Sequence, residues 1–171
     1  DRDTSGVILI AKEELTHSDL GILFETRKVF KEYAALTYGV LDRDSDYIEA
    51  AIMHHPKDRT KMMVTREMVG DAKEAMSYYE VAERFQGYTY VKVQPRTGRT
   101  HQIRVHMASI KHPLVGDPVY GKVDPRVPPF HRQALHATRL GLVHPLTRRL
   151  QQWEAPPPAD MLMLLETLRG E

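Results

Sequence analysis

The sequence predicts an α+β fold with a mixed, mostly antiparallel sheet and flanking helices. Runs rich in β-branched and aromatic residues recur along the chain and end at glycine, proline or acidic turns. Helical spacing of apolar residues recurs in three segments. With 171 residues, 42% of them hydrophobic, the chain is long enough for one domain with a sizeable core.

The first half of the chain predicts one helix among strands. The apolar run at 7–11 is typical of a buried strand. Residues 13–29 predict a helix, because apolar residues recur on one face and Ser18 can act as a cap. Further strands are predicted at 30–39, 47–53 and 62–65.

The second half predicts a hairpin followed by two more helices. Two strands at 77–85 and 88–93 meet at a Gln-Gly turn, and apolar residues at 103, 107 and 110 predict a helix. A loop rich in Pro and Gly follows at 113–121. Strands at 133–143 and 149–153 then precede a final helix, for which Asp160 is the expected cap.

Charge is distributed unevenly although the net charge is only +1. Residues 1–83 hold 17 Asp and Glu against 11 Lys and Arg, whereas residues 84–171 hold 6 against 13. The absence of cysteine excludes disulfides and thiolate metal sites and fits a cytoplasmic protein. No apolar run reaches the length of a membrane span, so we expect no membrane partner.

The most donor-rich part of the chain is residues 96–106, hereafter the basic stretch. It holds three arginines, two threonines, two histidines and a glutamine, and no carboxylate. Residues 84–116 carry six Lys and Arg and no acid, and residues 125–153 carry arginines at 126, 132, 139, 148 and 149, again with no acid. We interpret these regions as a phosphate-facing surface. The alternative is a solvated basic face without a ligand.

Histidine is the residue type that could hold a metal here. His101 and His106 are five positions apart on the predicted helix. That spacing is about 140° around the axis, so the two side chains do not share a face. The remaining histidines do not have ligand spacing either. We expect no metal site.

Four blocks resemble the RluA-type pseudouridine synthase family, in the order that the family has them. They are Asp1 to Gly6 before an apolar run; residues 31–36; residues 98–106, followed by 112–117 and 120–121; and residues 134–137 ahead of His144 and Pro145. Together they extend from residue 1 to about residue 147. The third block is the most specific, and the joint occurrence of all four makes the resemblance strong.

The resemblance implies a cofactor-free isomerase that converts uridine in RNA to pseudouridine. Asp1 matches the family's nucleophile, and Tyr33 matches a tyrosine that stacks on the base and is a candidate for taking the C5 proton. Arg104 matches an arginine that pairs with the aspartate, and Leu135 matches an aliphatic residue on the base's other face. A planar guanidinium can hold both oxygens of a carboxylate and keep it ionised, which we expect of Arg104 and Asp1.

RNA is the expected partner, and both ribosomal and transfer RNA are open as substrates. Short donors and cations around Arg104 suit phosphates and 2′-hydroxyls. We expect the protein to be a monomer. The candidate RNA-binding residues are Thr4, Lys31, Arg96, Thr97, Gly98, Arg99, Thr100, His101, Gln102, His106, Leu135 and His136.

Each catalytic candidate also has an ordinary structural alternative. Asp1 alone could cap a turn, Tyr33 could belong to the core, and Arg104 could form a surface ion pair. At the level of function, the alternative is a non-catalytic RNA-binding module of the same fold. A phosphate-binding metabolic enzyme is a weaker alternative, since Gly98 is a lone glycine there.

The start of the chain departs from the family pattern. The family carries a His-Arg-Leu-like lead directly before the aspartate and more sheet before that, and this sequence begins at Asp1. We therefore expect residues 1–171 to be an N-terminally incomplete catalytic domain of a longer protein.

Overall fold

The structure is a computed structural model that describes residues 1–122 and 130–170. These residues form nine strands and three helices. In chain order they are β1 (Ser5–Gly6), α1 (Glu14–Glu25), β2 (Phe30–Tyr38), β3 (Ser45–Glu49), β4 (Ala51–His54), β5 (Met62–Thr65), β6 (Met76–Phe85), β7 (Tyr88–Pro95), α2 (Gln102–Ser109), β8 (Leu135–Val143), β9 (Leu150–Glu154) and α3 (Ala159–Arg169). The predicted α+β class is confirmed.

Seven of the described strands form one mixed sheet in the order β1-β8-β2-β7-β6-β3, with β9 also paired to β8. Every pairing in it is antiparallel except that of β1 with β8. β4 and β5 form a separate two-stranded sheet. The predicted hairpin is confirmed, because β6 and β7 pair directly around residues 86–87.

Strand β2 lies at the centre of the sheet and sends its two faces to different helices. Ala35 packs in a core cluster with Ile103 and Met107 of α2. Its neighbour Leu36 points to the opposite face and packs with Leu164 and Leu165 of α3. Because side chains alternate along a strand, Tyr33 shares the face of Ala35 and packs against the α2 cluster.

The predicted buried strand at 7–11 is wrong. The Val7 N–H donates to the Ala137 carbonyl at 2.9 Å, but residues 7–11 are not in a strand. Val7 and Leu9 pack against a small cluster around Leu140, whereas Ile8 is 81% exposed and Ile10 is 75% exposed. The apolar run predicts a strand that is buried on both faces. Among the described residues, only the side that carries Val7 and Leu9 is packed against other side chains.

Two predicted helix caps are also wrong, although all three helices are present. α1 begins at Glu14 after Glu13, so Ser18 lies inside the helix. α3 begins at Ala159 after Pro158, so Asp160 lies in the first turn and not at the cap. Its carboxylate accepts the Met161 N–H at 2.8 Å and two hydrogen bonds from Arg132 at 2.9 and 3.1 Å. Among the described residues, no helix is long and apolar enough to cross a membrane.

Candidate active site

Asp1 lies in a cleft that joins distant parts of the chain, hereafter the Asp1 cleft. Its volume is about 290 Å³. The lining residues are Asp1, Thr4, Phe24, Lys31, Tyr33, Pro95, Thr97, Gly98, Arg99, His101, Gln102, Ile103 and Leu135. The cleft therefore gathers candidates from the start of the chain, β2, the turn before α2 and the start of β8.

A larger and more apolar cavity of about 430 Å³ adjoins this cleft and shares Phe24, Lys31 and Tyr33 with it. It is formed mainly by the 7–11 segment, α1 and β8. We assign the chemistry to the smaller cleft, because only that cleft is lined by the Asp1 carboxylate and by the turn before α2.

The segment that carries Asp1 is anchored to the edge of the sheet. Gln133 donates through Nε2 to the Arg2 carbonyl at 2.7 Å, and Arg132 donates to the Asp3 carbonyl at 3.1 Å. Gly6 then pairs with Ala137 of β8 in parallel register. Its φ is +118°, and a Cβ atom there would lie 2.2 Å from the Ala137 carbonyl oxygen. Only glycine fits this close approach of two backbones.

Arg104 lies behind the cleft and contacts two carboxylates. Its Nη1 is 3.7 Å from Asp1 Oδ2, which is an ion pair without a direct hydrogen bond. Its Nε and Nη2 donate to the two oxygens of Asp117 at 2.8 and 3.0 Å. The expectation that the Arg104 fork holds both oxygens of Asp1 is therefore wrong, because Asp117 occupies that fork.

Asp117 is not among the site residues predicted from the sequence, although it is the carboxylate that holds Arg104. Its side chain is fully buried, and Oδ1 also accepts the N–H groups of Val119 and Tyr120 at 2.9 and 3.1 Å. Burial alone would raise its pKa, but the hydrogen bonds from Arg104 and from these two N–H groups outweigh burial and lower the pKa. The sequence held one signal, since Asp117 is the first acid after the acid-free residues 84–116.

Tyr120 and His101 extend this arrangement towards the cleft. The Arg104 guanidinium carbon lies 5.3 Å from the centre of the Tyr120 ring. The Tyr120 hydroxyl accepts the Met62 N–H at 2.8 Å and is 2.8 Å from His101 Nδ1. Burial and the nearby Arg104 charge lower the pKa of His101, which favours the neutral ring. Tyr120 was also absent from the candidate list.

The Tyr33 ring and the Leu135 side chain both line the Asp1 cleft. Tyr33 is in β2, where it is paired with Val93 on one side and Ala137 on the other. Leu135 is 2% exposed at the start of β8. Burial raises the pKa of Tyr33, so the phenol is neutral at physiological pH. An aromatic residue and an aliphatic residue thus line the same cleft.

Two cations lie at the rim of the cleft. Lys31 donates through Nζ to the Thr97 carbonyl at 3.1 Å, and Arg99 donates through Nε to the Glu74 carbonyl at 2.8 Å. Burial, and to a smaller extent repulsion from Arg99, lowers the pKa of Lys31. An anion at this rim would relieve that repulsion.

Several predicted RNA-binding residues instead form the interior. Gln102 is 5% exposed, and its Oε1 accepts the Thr97 hydroxyl at 2.7 Å and the Arg99 N–H at 3.0 Å. His106 is 0% exposed. Its Nδ1 is 2.8 Å from the Ser77 hydroxyl and its Nε2 is 2.9 Å from the Ala50 carbonyl oxygen.

His136 and Thr97 are enclosed in the same way. His136 is 2% exposed and contacts the Ser5 hydroxyl and the Ala155 carbonyl oxygen at 2.8 and 3.0 Å. Thr97 is 4% exposed, and its hydroxyl accepts the Met76 N–H at 3.1 Å. The prediction that the side chains of His106 and His136 bind RNA is corrected, because both are buried and both of their ring nitrogens contact protein atoms. The polar atoms of Thr97 and Gln102 also have protein partners, but these two residues line the Asp1 cleft, so their contact with RNA stays a prediction.

Other candidates lie outside the cleft lining. Arg96 is exposed, and its guanidinium lies 5.6 Å from the centre of the Tyr78 ring. Thr100 is exposed on the turn before α2. Arg126 lies outside the described residues.

No group of three or more His, Cys, Asp or Glu suitable for a metal occurs within residues 1–122 and 130–170.

Comparisons with known proteins agree on one family. A family model described as RNA pseudouridylate synthase matches residues 1–109. The protein named "Uncharacterized RNA pseudouridine synthase YlyB" of Bacillus subtilis is 45% identical over 99% of this chain and 54% of its own length. "Ribosomal large subunit pseudouridine synthase D" of Pseudomonas aeruginosa is 44% identical over 100% of this chain and 55% of its own length.

Solved structures show the same fold. "Human RNA Pseudouridylate Synthase Domain Containing 1" aligns with a TM-score of 0.81 and 26% identity, covering 100% of this chain and 78% of that chain. The chain spans about half the length of the curated relatives named above.

Proposed function

The chain belongs to the RNA pseudouridylate synthase family, and we propose that it isomerises uridine in RNA to pseudouridine without a cofactor. One observation supports this most directly. Asp1, Tyr33 and Leu135 line a single cleft, and the Arg104 guanidinium lies 3.7 Å from the Asp1 carboxylate. These are the residue types that the reaction needs, in one cleft.

The reaction exchanges one bond at the sugar for another. The N1–C1′ glycosidic bond breaks, the freed uracil turns, and its C5 bonds to C1′. The proton leaves C5 and N1 gains one, so substrate and product are isomers. Asp1 is the proposed nucleophile, since a carboxylate is ionised at neutral pH and can leave again. The Arg104 charge favours its ionised form.

Tyr33 and Leu135 are the proposed walls for the uracil. A base must leave its stack to reach the cleft, which costs a few kcal/mol. Stacking on an aromatic ring offsets about 1–3 kcal/mol of this cost. Tyr33 is also the proposed acceptor of the C5 proton. Because its buried phenol is neutral, the hydroxyl passes its own proton on as it takes the one from C5, and N1 gains a proton, so the phenol ends as it began. Lys31 and Arg99 at the rim are suited to the phosphates beside the target nucleotide.

Large-subunit ribosomal RNA is the substrate that we propose, acted on by a cytoplasmic monomer. Relatives from several bacteria carry the name "Ribosomal large subunit pseudouridine synthase D", with 40–44% identity to this chain. Transfer RNA is the competing substrate that an assay has to include.

The test is conversion of uridine by the complete gene product. Transcripts of the organism's large-subunit ribosomal RNA and of its transfer RNAs, labelled with tritium at uridine C5, are incubated with the protein, and released tritium is counted. We expect release from ribosomal RNA. Mapping of cellular pseudouridines with and without the gene then identifies the position. RNA binding without release from any transcript would contradict the proposal and favour the non-catalytic RNA-binding module.

A further inference from the structure

We propose that Asp117 is a positioning residue for the uridine isomerisation, because it fixes the Arg104 guanidinium with only Nη1 turned towards Asp1. This inference rests on the proposed function. Asp117 does not line the Asp1 cleft, and its direct side-chain contact towards Asp1 is Arg104.

The geometry of the guanidinium carries the inference. Nε and Nη2 form one edge of the guanidinium, and both donate to Asp117, at 2.8 and 3.0 Å. Nη1 remains, and it is 3.7 Å from Asp1 Oδ2. A bidentate pair fixes the plane of the guanidinium as well as its position. Asp117 therefore determines which nitrogen of Arg104 faces the nucleophile.

Asp117 is itself fixed by the backbone. Oδ1 accepts the N–H groups of Val119 and Tyr120 in addition to one guanidinium N–H. The side chains of Arg104 and Asp117 are only 5% and 0% exposed. A buried ion pair that is held by two charge-assisted hydrogen bonds and by two further backbone N–H groups has few alternative arrangements. The Tyr120 ring further restricts the guanidinium from one side.

The same pairing limits how strongly Arg104 attracts Asp1. A buried guanidinium with no other partner would draw the Asp1 carboxylate into its own bidentate pair and hold it away from the sugar. Because Asp117 already occupies Nε and Nη2, Arg104 offers Asp1 only Nη1, at 3.7 Å. That contact supports ionisation and leaves the carboxylate free to attack and to leave.

The first test measures single-turnover rates at saturating ribosomal RNA with the complete gene product. For Asp117→Asn we expect a rate about 100-fold lower, because a misplacement of about 1 Å at a reacting group has that size of effect. RNA affinity should be unchanged, since Asp117 does not reach the rim. Asp117→Glu retains the charge but lengthens the side chain, so it should restore part of the rate.

The second test asks whether Asp117 acts through Arg104. In an Arg104→Ala background, Asp117→Asn should lower the rate no further, since the group that it positions is gone. A general loss of folding would instead add to the effect of Arg104→Ala. Glu83→Gln is the control, because it breaks another two-bond carboxylate–arginine pair, with Arg169, outside the cleft. Thermal melting of every variant monitors folding.

The third test does not depend on activity. In a protein labelled with ¹⁵N at arginine Nε, the Arg104 Nε–H signal should exchange slowly with water in the wild type and quickly in Asp117→Asn. If the wild type converts no uridine, the proposed function fails, and this signal still decides whether Asp117 fixes the guanidinium.

Three results would overturn the inference. They are unchanged turnover in Asp117→Asn, a further rate loss in the Arg104→Ala background, and rapid Nε–H exchange in the wild type. Should Asp117→Asn fail to fold, the Arg104 Nε–H exchange in the wild type, which needs no variant, decides the inference.

Discussion

The basic stretch divides into two groups of residues that differ in what their polar atoms contact. Arg96, Gly98 and Thr100 are exposed and Arg99 is half-buried, whereas Thr97, Gln102, Arg104 and His106 are at most 5% exposed. The hydrogen bonds of Thr97, Gln102 and His106 hold the turn and α2 in place, and Arg104 faces Asp1. The exposed group lies open to solvent. A dense set of donors in sequence therefore combines residues that build the site with residues that lie open to a ligand.

The largest expected effect comes from the cleft itself. Asp1→Asn should reduce tritium release below detection, at least about 10⁴-fold, because an amide cannot replace the carboxylate nucleophile. RNA affinity, measured by filter binding, should stay nearly constant. Asp3→Asn is the matched control in the same exposed turn. Substantial turnover in Asp1→Asn would remove Asp1 from the role of nucleophile.

Tyr33→Phe separates stacking from proton transfer within the cleft. The ring remains, so RNA binding should be retained, whereas the rate should fall by about 10²-fold or more if the hydroxyl takes the C5 proton. Single-turnover rates measure this loss. Tyr90→Phe is the control, because burial also raises the pKa of Tyr90 and Tyr90 is outside the cleft lining. An unchanged rate would leave Tyr33 with a stacking role only.

His106→Ala should lower the stability of the fold and leave RNA binding unchanged. It leaves the Ser77 hydroxyl and the Ala50 carbonyl without their His106 contacts, which costs about 3 kcal/mol of unfolding free energy in total. Urea unfolding measures the loss, and exposed His17→Ala should be close to the wild type. Weaker RNA binding by a fully folded His106→Ala protein would return this residue to the RNA-binding group.

The same histidine gives stability a dependence on pH. Burial lowers the pKa of His106, partly opposed by its hydrogen bond to the Ala50 carbonyl. The unfolded chain therefore binds the proton first, so stability is fully present above about pH 6.5 and declines as the pH falls towards the folded-state pKa. His106→Ala should flatten this decline in urea unfolding from pH 7 to pH 5.

Arg99→Ala should have the smallest effect of the series and act at the rim. It should weaken binding of every RNA similarly and reduce the slope of log affinity against log salt by about 1. Arg43→Ala is the control, since Arg43 is exposed and paired with Asp46 outside the cleft lining. An unchanged slope would show that Arg99 does not contact phosphate.

Local signals predicted most of the fold. The hairpin of β6 and β7, the helix α2 and strand β2 follow from spacing and turn residues that act over a few positions. The segment at 7–11 failed because its pattern describes the side chains alone. Whether a neighbour covers Ile8 and Ile10 is a property of the tertiary structure, which a local pattern does not contain.

The sequence predicted only part of the site, because contacts between distant residues also belong to the tertiary structure. Resemblance identified Asp1, Tyr33 and Leu135, which line one cleft from positions far apart in sequence, and Arg104, which contacts Asp1 from behind it. It did not indicate that Asp117 holds Arg104, because residue types alone do not specify which of two carboxylates occupies a guanidinium. Nor does the resemblance indicate that Thr97 is buried and Gly98 exposed, since that difference depends on the direction in which each residue points in the turn.

Gly6 gives this arrangement an unexpected point of sensitivity. Position 6 contributes no side chain to the cleft, yet even a methyl group there would collide with the backbone of Ala137. The collision would push the chain start away from β8 and carry the carboxylate of Asp1 with it. A single added methyl group outside the cleft lining would thus act like the deletion of the nucleophile.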